Sequence, residues 1–91
     1  MWRGEVVTTS AVDPLVFGQR VRHYRKERGL TLAALGLLVE KPVPYLSMVE
    51  NGKREPKLGL MNALAAALDV AVADLLSPEA PTHRARLEVA V

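Results

Sequence analysis

The chain has 91 residues, a formal net charge of +2 and no cysteine. That length suits one small core, and the missing thiols exclude a disulfide framework and thiolate metal ligation. An excess of two positive charges is too small to identify a partner, so the placement of the bases carries more than their number.

Residues 1–12 show no helical period. Val6-Val7-Thr8-Thr9 is β-prone, but a lone strand has nothing to pair with, and the stretch reads as a flexible arm. Trp2, the single tryptophan, reads as incidental. The arm has no apolar run of signal-peptide length. Asp13-Pro14 is a helix start, an acid at the N-cap followed by proline at the first helical position. This helix is expected to run to about Arg28 and stop at Gly29, with Phe17, Val21 and Tyr24 as its inner stripe. Arg20, Arg22, Arg25, Lys26 and Arg28 fall on the remaining surface or its borders, with an exposed His23 among them. A charged surface of this kind is ordinarily just solvated.

Leu30 is expected to be a buried link. Thr31 is the N-cap of a second helix over Leu32–Val39, with Leu35 and either Leu38 or Val39 inward. Gly36 inside it costs about 0.5–1 kcal/mol relative to alanine, which a close crossing by another helix would explain. Glu40-Lys41-Pro42-Val43 interrupts the pattern, and Pro44 is expected to open a third helix. Tyr45, Leu46 and Val49 form its buried face. It ends at Asn51-Gly52, where glycine suits the left-handed position after a helix. A fourth helix is predicted over Leu58–Leu68, with Leu60, Leu64 and either Leu68 or Ala67 inward. A fifth, over Val72–Leu76, closes the core with Leu75 and Leu76. The window from Leu58 to Leu76 is apolar enough to suggest a membrane span. Its Asp69 and Asp74 oppose that, because an aspartate near a span centre costs roughly 2.5–3.5 kcal/mol. We read two water-exposed helices there and expect no membrane association.

Two short helices joined by a tight turn and followed by the basic loop Lys53-Arg54 have the form of a DNA-reading helix-turn-helix. In this order and spacing, FGQRVRHYRKERGLT, YLSMVENGKREP and LAAALDVAVADLL resemble the phage-repressor/Cro-type (XRE) helix-turn-helix family. The resemblance covers about Phe17 to Leu76. It implies an all-α fold, a compact five-helix lambda-repressor-like domain over residues 13–76. It also implies sequence-specific binding of double-stranded DNA by a transcriptional regulator, as a homodimer on a palindromic site in the cytoplasm.

By position in that family, Lys41, Pro42, Val43, Pro44, Ser47 and Met48 match the base-facing residues. Leu32, Asn51, Lys53 and Arg54 match the phosphate contacts, and Arg25 and Glu50 match a structural pair tying the first helix to the end of the third. Three departures stand out. Leu32 replaces the usual phosphate-holding glutamine and offers only its backbone N–H. Glu40 replaces the turn glycine, and Lys41 a small apolar residue. Facing DNA, Glu40 would repel it, so it is expected to point away. Pro42, Val43 and Pro44 cannot make the bidentate purine contacts of Arg or Gln, so direct readout is expected to be sparse, with DNA shape carrying much of the specificity.

The arm then has a second reading, pairing across a dimer or touching DNA. Residues 77–91 read as a linker and tail, used either in dimerisation or as the start of a longer region with a C-terminal effector domain. The rival function is a protein-binding adaptor that uses the apolar face around Val43, Pro44 and Met48 without base readout. An enzyme is not expected. There is no paired carboxylate site or Ser-His arrangement, and His23 and His83 stand alone. No catalytic residue, metal or cofactor is therefore assigned.

Overall fold

A computed structural model describes residues 12–78, so the expectations for the arm, Trp2 and the tail lie outside the described residues. Five helices follow one another: α1 (Pro14–Glu27), α2 (Leu32–Val39), α3 (Val43–Glu50), α4 (Leu58–Leu68) and α5 (Val72–Leu76). Helix α1 lies against α3 and α5, and α2 lies against α3 and α4. Among the described residues there is no strand, and no single helix is long and apolar enough to cross a membrane.

Local chemistry sets most of the helix ends. Asp13 accepts from the N–H groups of Leu15 and Val16, at 3.0 and 3.5 Å. Thr31 Oγ1 accepts from the N–H of Ala34 at 3.0 Å. Each contact satisfies a first-turn donor that has no partner within the helix. Asp74 accepts from the N–H of Ala71 at 3.1 Å, one half of a capping box. At the other end of α1, Gly29 has φ +71° and donates to Lys26, while Leu30 donates to Arg25. This pair of bonds is the Schellman closure.

The core is a cluster of Phe17, Val21, Leu35, Val39, Leu46, Val49, Leu60, Met61, Leu64, Ala65, Leu68 and Leu75. It resolves both open choices: Val39 is buried and Leu38 exposed, and Leu68 is buried while Ala67 is half-buried. It also corrects several expectations. Leu76 is 39% exposed and only Leu75 closes the core from α5, because a five-residue helix presents one side inward. Tyr24, Tyr45 and Leu30 are half-buried at the margin rather than inside. His23 is half-buried rather than exposed. Its ring packs edge-on against Tyr24, and its Nε2 is enclosed 3.5 Å from a Glu27 carboxylate oxygen without hydrogen-bond geometry. Helix α3 begins at Val43, with Pro42 as its cap and Pro44 at the second position. Any first-turn position tolerates proline, since none of those N–H groups has an intrahelical acceptor.

Two glycines carry tight approaches. A Cβ on Gly36 would lie 2.6 Å from the Lys41 carbonyl oxygen. The chain's own turn, not a crossing helix, therefore excludes a side chain there. The helix crossing falls at Gly18 instead. A Cβ there would lie 2.2 Å from the Val49 carbonyl oxygen and 2.6 Å from that of Glu50. An alanine in mid-helix ordinarily gains about 1 kcal/mol over glycine. At Gly18 the overlap is with backbone, which cannot rotate away, so α1 and α3 must separate. Gly18→Ala is expected to destabilise by a net of up to about 2 kcal/mol, the roughly 1–3 kcal/mol of overpacking less that helix gain. Urea denaturation checks the sign: a gain in stability would mean the crossing is looser than described.

Candidate nucleic-acid interface

Helices α2 and α3 meet at 106°, within the roughly 90–120° of a helix-turn-helix. The turn is made by Glu40 in the left-handed region, φ 59° and ψ 46°, with the N–H of Lys41 donating to Gly36 at 3.0 Å. A residue with a Cβ pays roughly 1–2 kcal/mol for that conformation. The turn leaves Lys41, Pro42, Val43 and Pro44 exposed in sequence around the start of α3. One turn on, Met48 is 40% exposed and Ser47 is half-buried. Leu32 opens α2 with its side chain half-buried against the core.

The far end of α3 is closed by its own backbone. Gly52, at φ +73°, donates to Val49 at 3.1 Å, and Lys53 donates to Met48 at 2.9 Å. Asn51 donates its backbone N–H to the Ser47 carbonyl at 3.1 Å and its side-chain amide to the same oxygen at 2.9 Å. These bonds engage the backbone N–H groups of Asn51, Gly52 and Lys53 and give the Asn51 side chain a capping task. The outward charge at this end is therefore carried by the side chains of Lys53 and Arg54, both exposed. Among the described residues, ion pairs form at Arg25–Glu50 and Arg28–Glu27, His23 lies beside Glu27, and no carboxylate neutralises Lys41, Lys53 or Arg54.

Arg25 and Glu50 join beneath this surface. Arg25 Nε donates to Glu50 Oε2 at 2.6 Å and Nη2 to Oε1 at 3.0 Å, while Nη1 donates to the Leu30 carbonyl at 2.9 Å. The paired side chains are only 11% and 4% exposed. The hydrogen bonds to Glu50 hold the Arg25 guanidinium above its ordinary pKa, against the lowering effect of burial. A raised arginine pKa keeps the stabilising charge in place at every pH below the ordinary arginine range. It would be lost only as pH rises through the folded-state value.

Residue spacing did not reveal three features. Tyr45, assigned to the buried face, is half-buried and has Lys41 Nζ 5.1 Å and Arg54 Cζ 4.4 Å from its ring centroid. The interval of four between Lys41 and Tyr45 was the available signal. Arg28 Nε donates to the Leu68 carbonyl at 2.9 Å, closing the end of α4. Arg20 donates to the Ser77 and Pro78 carbonyls, at 3.0 and 2.9 Å. Two arginines of the charged run are thus engaged with carbonyls rather than simply solvated.

A bent helix pair, an exposed second helix and unneutralised bases at both its ends define a helix-turn-helix domain. The family model described as helix-turn-helix matches residues 21–75, and the chain belongs to this family, of the phage-repressor (XRE) type. It is 40% identical over 58 residues to the HTH-type transcriptional regulator DdrOP3 of Deinococcus deserti, covering 64% of this chain and 45% of that protein. It is 35% identical over 69 residues to the HTH-type transcriptional regulator SinR of Bacillus subtilis, covering 75% of this chain and 62% of that one. The chain thus spans about half the length of these relatives. The crystal structure of the restriction-modification controller protein C.AhdI from Aeromonas hydrophila is similar in fold, with a TM-score of 0.66 and 35% identity over 71% of this chain and 98% of that one.

Proposed function

We propose that this chain is a transcriptional regulator that binds double-stranded DNA sequence-specifically, as a homodimer in the cytoplasm. The observation that carries this reading is the exposed start of α3 between Lys41 on one side and Lys53 and Arg54 on the other, with no carboxylate neutralising these bases among the described residues. Such bases displace counterions from phosphates and supply affinity. In this reading Val43 touches a thymine methyl and Ser47 hydrogen-bonds a base edge. Pro42, Pro44 and Met48 offer shape and apolar contact. Leu32 contributes a backbone N–H at the start of α2. Two copies would address half-sites about 34 Å apart.

A second reading, a protein-docking adaptor, has its own support. A groove of about 550 Å³ lined by Ala33, Gly36, Leu37, Glu40, Lys41, Pro42 and Val43 opens beside the turn, and Leu37 is 83% exposed. Selection of genomic DNA by the purified protein, followed by footprinting, separates the two. One enriched palindrome supports the regulator, and no enrichment supports the adaptor.

The two kinds of DNA contact are separable. Phosphate contacts hold the duplex without reading it. Lys53→Ala or Arg54→Ala is expected to weaken specific and random DNA alike, and to reduce the slope of log K against log salt by roughly 0.9 per contact, or about twice that for a fully engaged dimer. Val43→Ala or Ser47→Ala is expected to leave the slope unchanged and narrow the gap between specific and random DNA by about 1–3 kcal/mol per contact. Binding isotherms at several salt concentrations check both. An unchanged specificity ratio for Val43 and Ser47 would mean that α3 does not read bases.

A further inference from the structure

The sequence placed Lys41 among base-facing residues, Arg54 among phosphate contacts and Tyr45 in the core. The structure brings all three together. Lys41 precedes the cap of α3 and Arg54 follows its closing turn, yet both cations lie within the roughly 6 Å at which an aromatic ring attracts a charge. Tyr45 packs against the hydrophobic core, so the ring is anchored while its cationic neighbours are exposed.

A guanidinium stacked on a ring uses its face and leaves its in-plane N–H edge free. A carboxylate partner does the reverse: Glu50 occupies two edge donors of Arg25. The ring's negative face also offsets repulsion between two like charges held close together. An exposed Lys or Arg that fixes on a phosphate loses side-chain freedom, and the ring removes part of that freedom beforehand.

We propose that Tyr45 is a positioning residue, whose ring holds Lys41 and Arg54 as a preformed cationic pair for the phosphodiester backbone of duplex DNA. This rests on the DNA-binding reading above. Tyr45 itself need not touch the duplex. The pair ties the two ends of the reading helix to one site on the strand.

The test measures binding of the full chain to random-sequence duplex DNA across a salt series. The variants are Tyr45→Phe, Tyr45→Leu, Lys41→Ala with Arg54→Ala, and those two alanines combined with Tyr45→Leu. Tyr45→Leu is expected to weaken binding about three- to ten-fold, with Tyr45→Phe within about twofold of wild type because it keeps the ring. The salt slope of Tyr45→Leu stays that of wild type, since both charges remain. Relative to the chain with both alanines alone, adding Tyr45→Leu changes nothing. In the free wild-type chain, the Lys41 ε-methylene and Arg54 δ-methylene protons are expected to show upfield ring-current shifts by NMR.

Absence of those shifts overturns the pairing, whether or not any variant folds. An equal Tyr45→Leu loss with both cations already removed, or no loss at all, overturns the positioning role and leaves DNA binding intact. A wild-type chain that shows the shifts but binds no duplex overturns the DNA-binding reading, and this proposal with it.

Discussion

Glu50→Ala is expected to remove about 3–5 kcal/mol of stability, the cost of stranding one member of a buried ion pair. The variant keeps Arg25 beneath the domain with its ordinary charge and no carboxylate to receive it. Two donors, Nε and Nη2, lose their acceptors together, and only the bond from Nη1 to the Leu30 carbonyl remains. An exposed pair would contribute no more than about 1 kcal/mol, but here Glu50 is buried and Arg25 half-buried, with side chains only 4% and 11% exposed, which sets the pair well apart from a surface one. Stability near 0.05–0.15 kcal/mol per residue is usual, so a loss of this size would leave little of a domain this small. Arg25→Leu with Glu50→Leu strands no charge and is expected to recover at least half of the loss. The double-mutant cycle in urea, run with Arg25→Leu, Glu50→Leu and the two together, is decisive. A coupling energy near zero would remove the pair from the account of how α1 holds α3.

The fold was legible wherever a residue acts on its near neighbours. Asp13-Pro14, Thr31, Gly29 and Gly52 mark helix ends through bonds that close within a few residues, and α2, α4 and α5 occupy the predicted ranges. What was not legible depends on distant partners. Gly18 looks like an ordinary weak point in α1 until the carbonyls of Val49 and Glu50 arrive over it. Gly36 carried the right signal of crowding, but sequence could not say that the turn itself does the crowding. Arg20 and Arg28 sit in a run of bases that reads as solvated, and their carbonyl partners lie on α4 and beyond α5.

The candidate site divides in the same way. Arg25 and Glu50 were paired through family resemblance, and the structure supplies their bidentate geometry. Periodicity alone would have left both as charges at helix borders. The basic loop after Gly52 was readable because a helix end that needs glycine fixes where the following side chains emerge. The grouping of Lys41 and Arg54 on Tyr45 was not, because it joins a residue before α3 to one after it.

Leu46→Ala is expected to cost about 2–5 kcal/mol, the range for a buried leucine cut to alanine. Leu46 has no exposed surface, and its Cδ1 would lie 3.7 Å from a Cβ built on Gly36. It therefore fills the angle between α2 and α3, beside the Gly36 backbone and under the Lys41 carbonyl. Truncation opens a cavity directly under the turn. The surroundings cannot collapse easily, because Gly36 is already fixed by the bond from Lys41 and Glu40 is already in a left-handed conformation. The loss should therefore fall toward the upper part of the range. Leu46→Met keeps most of the volume and is expected to cost less than about 1.5 kcal/mol. Urea melts that share one m-value make the comparison one of stability alone. The proposed reading surface stands on this contact, so under that proposal Leu46→Ala should also weaken DNA binding at temperatures where it unfolds, while Leu46→Met retains it. A Leu46→Ala loss below roughly 0.5 kcal/mol, the level of an ordinary surface change, would mean that α3 is rotated, and every assignment of its outward residues would have to turn with it.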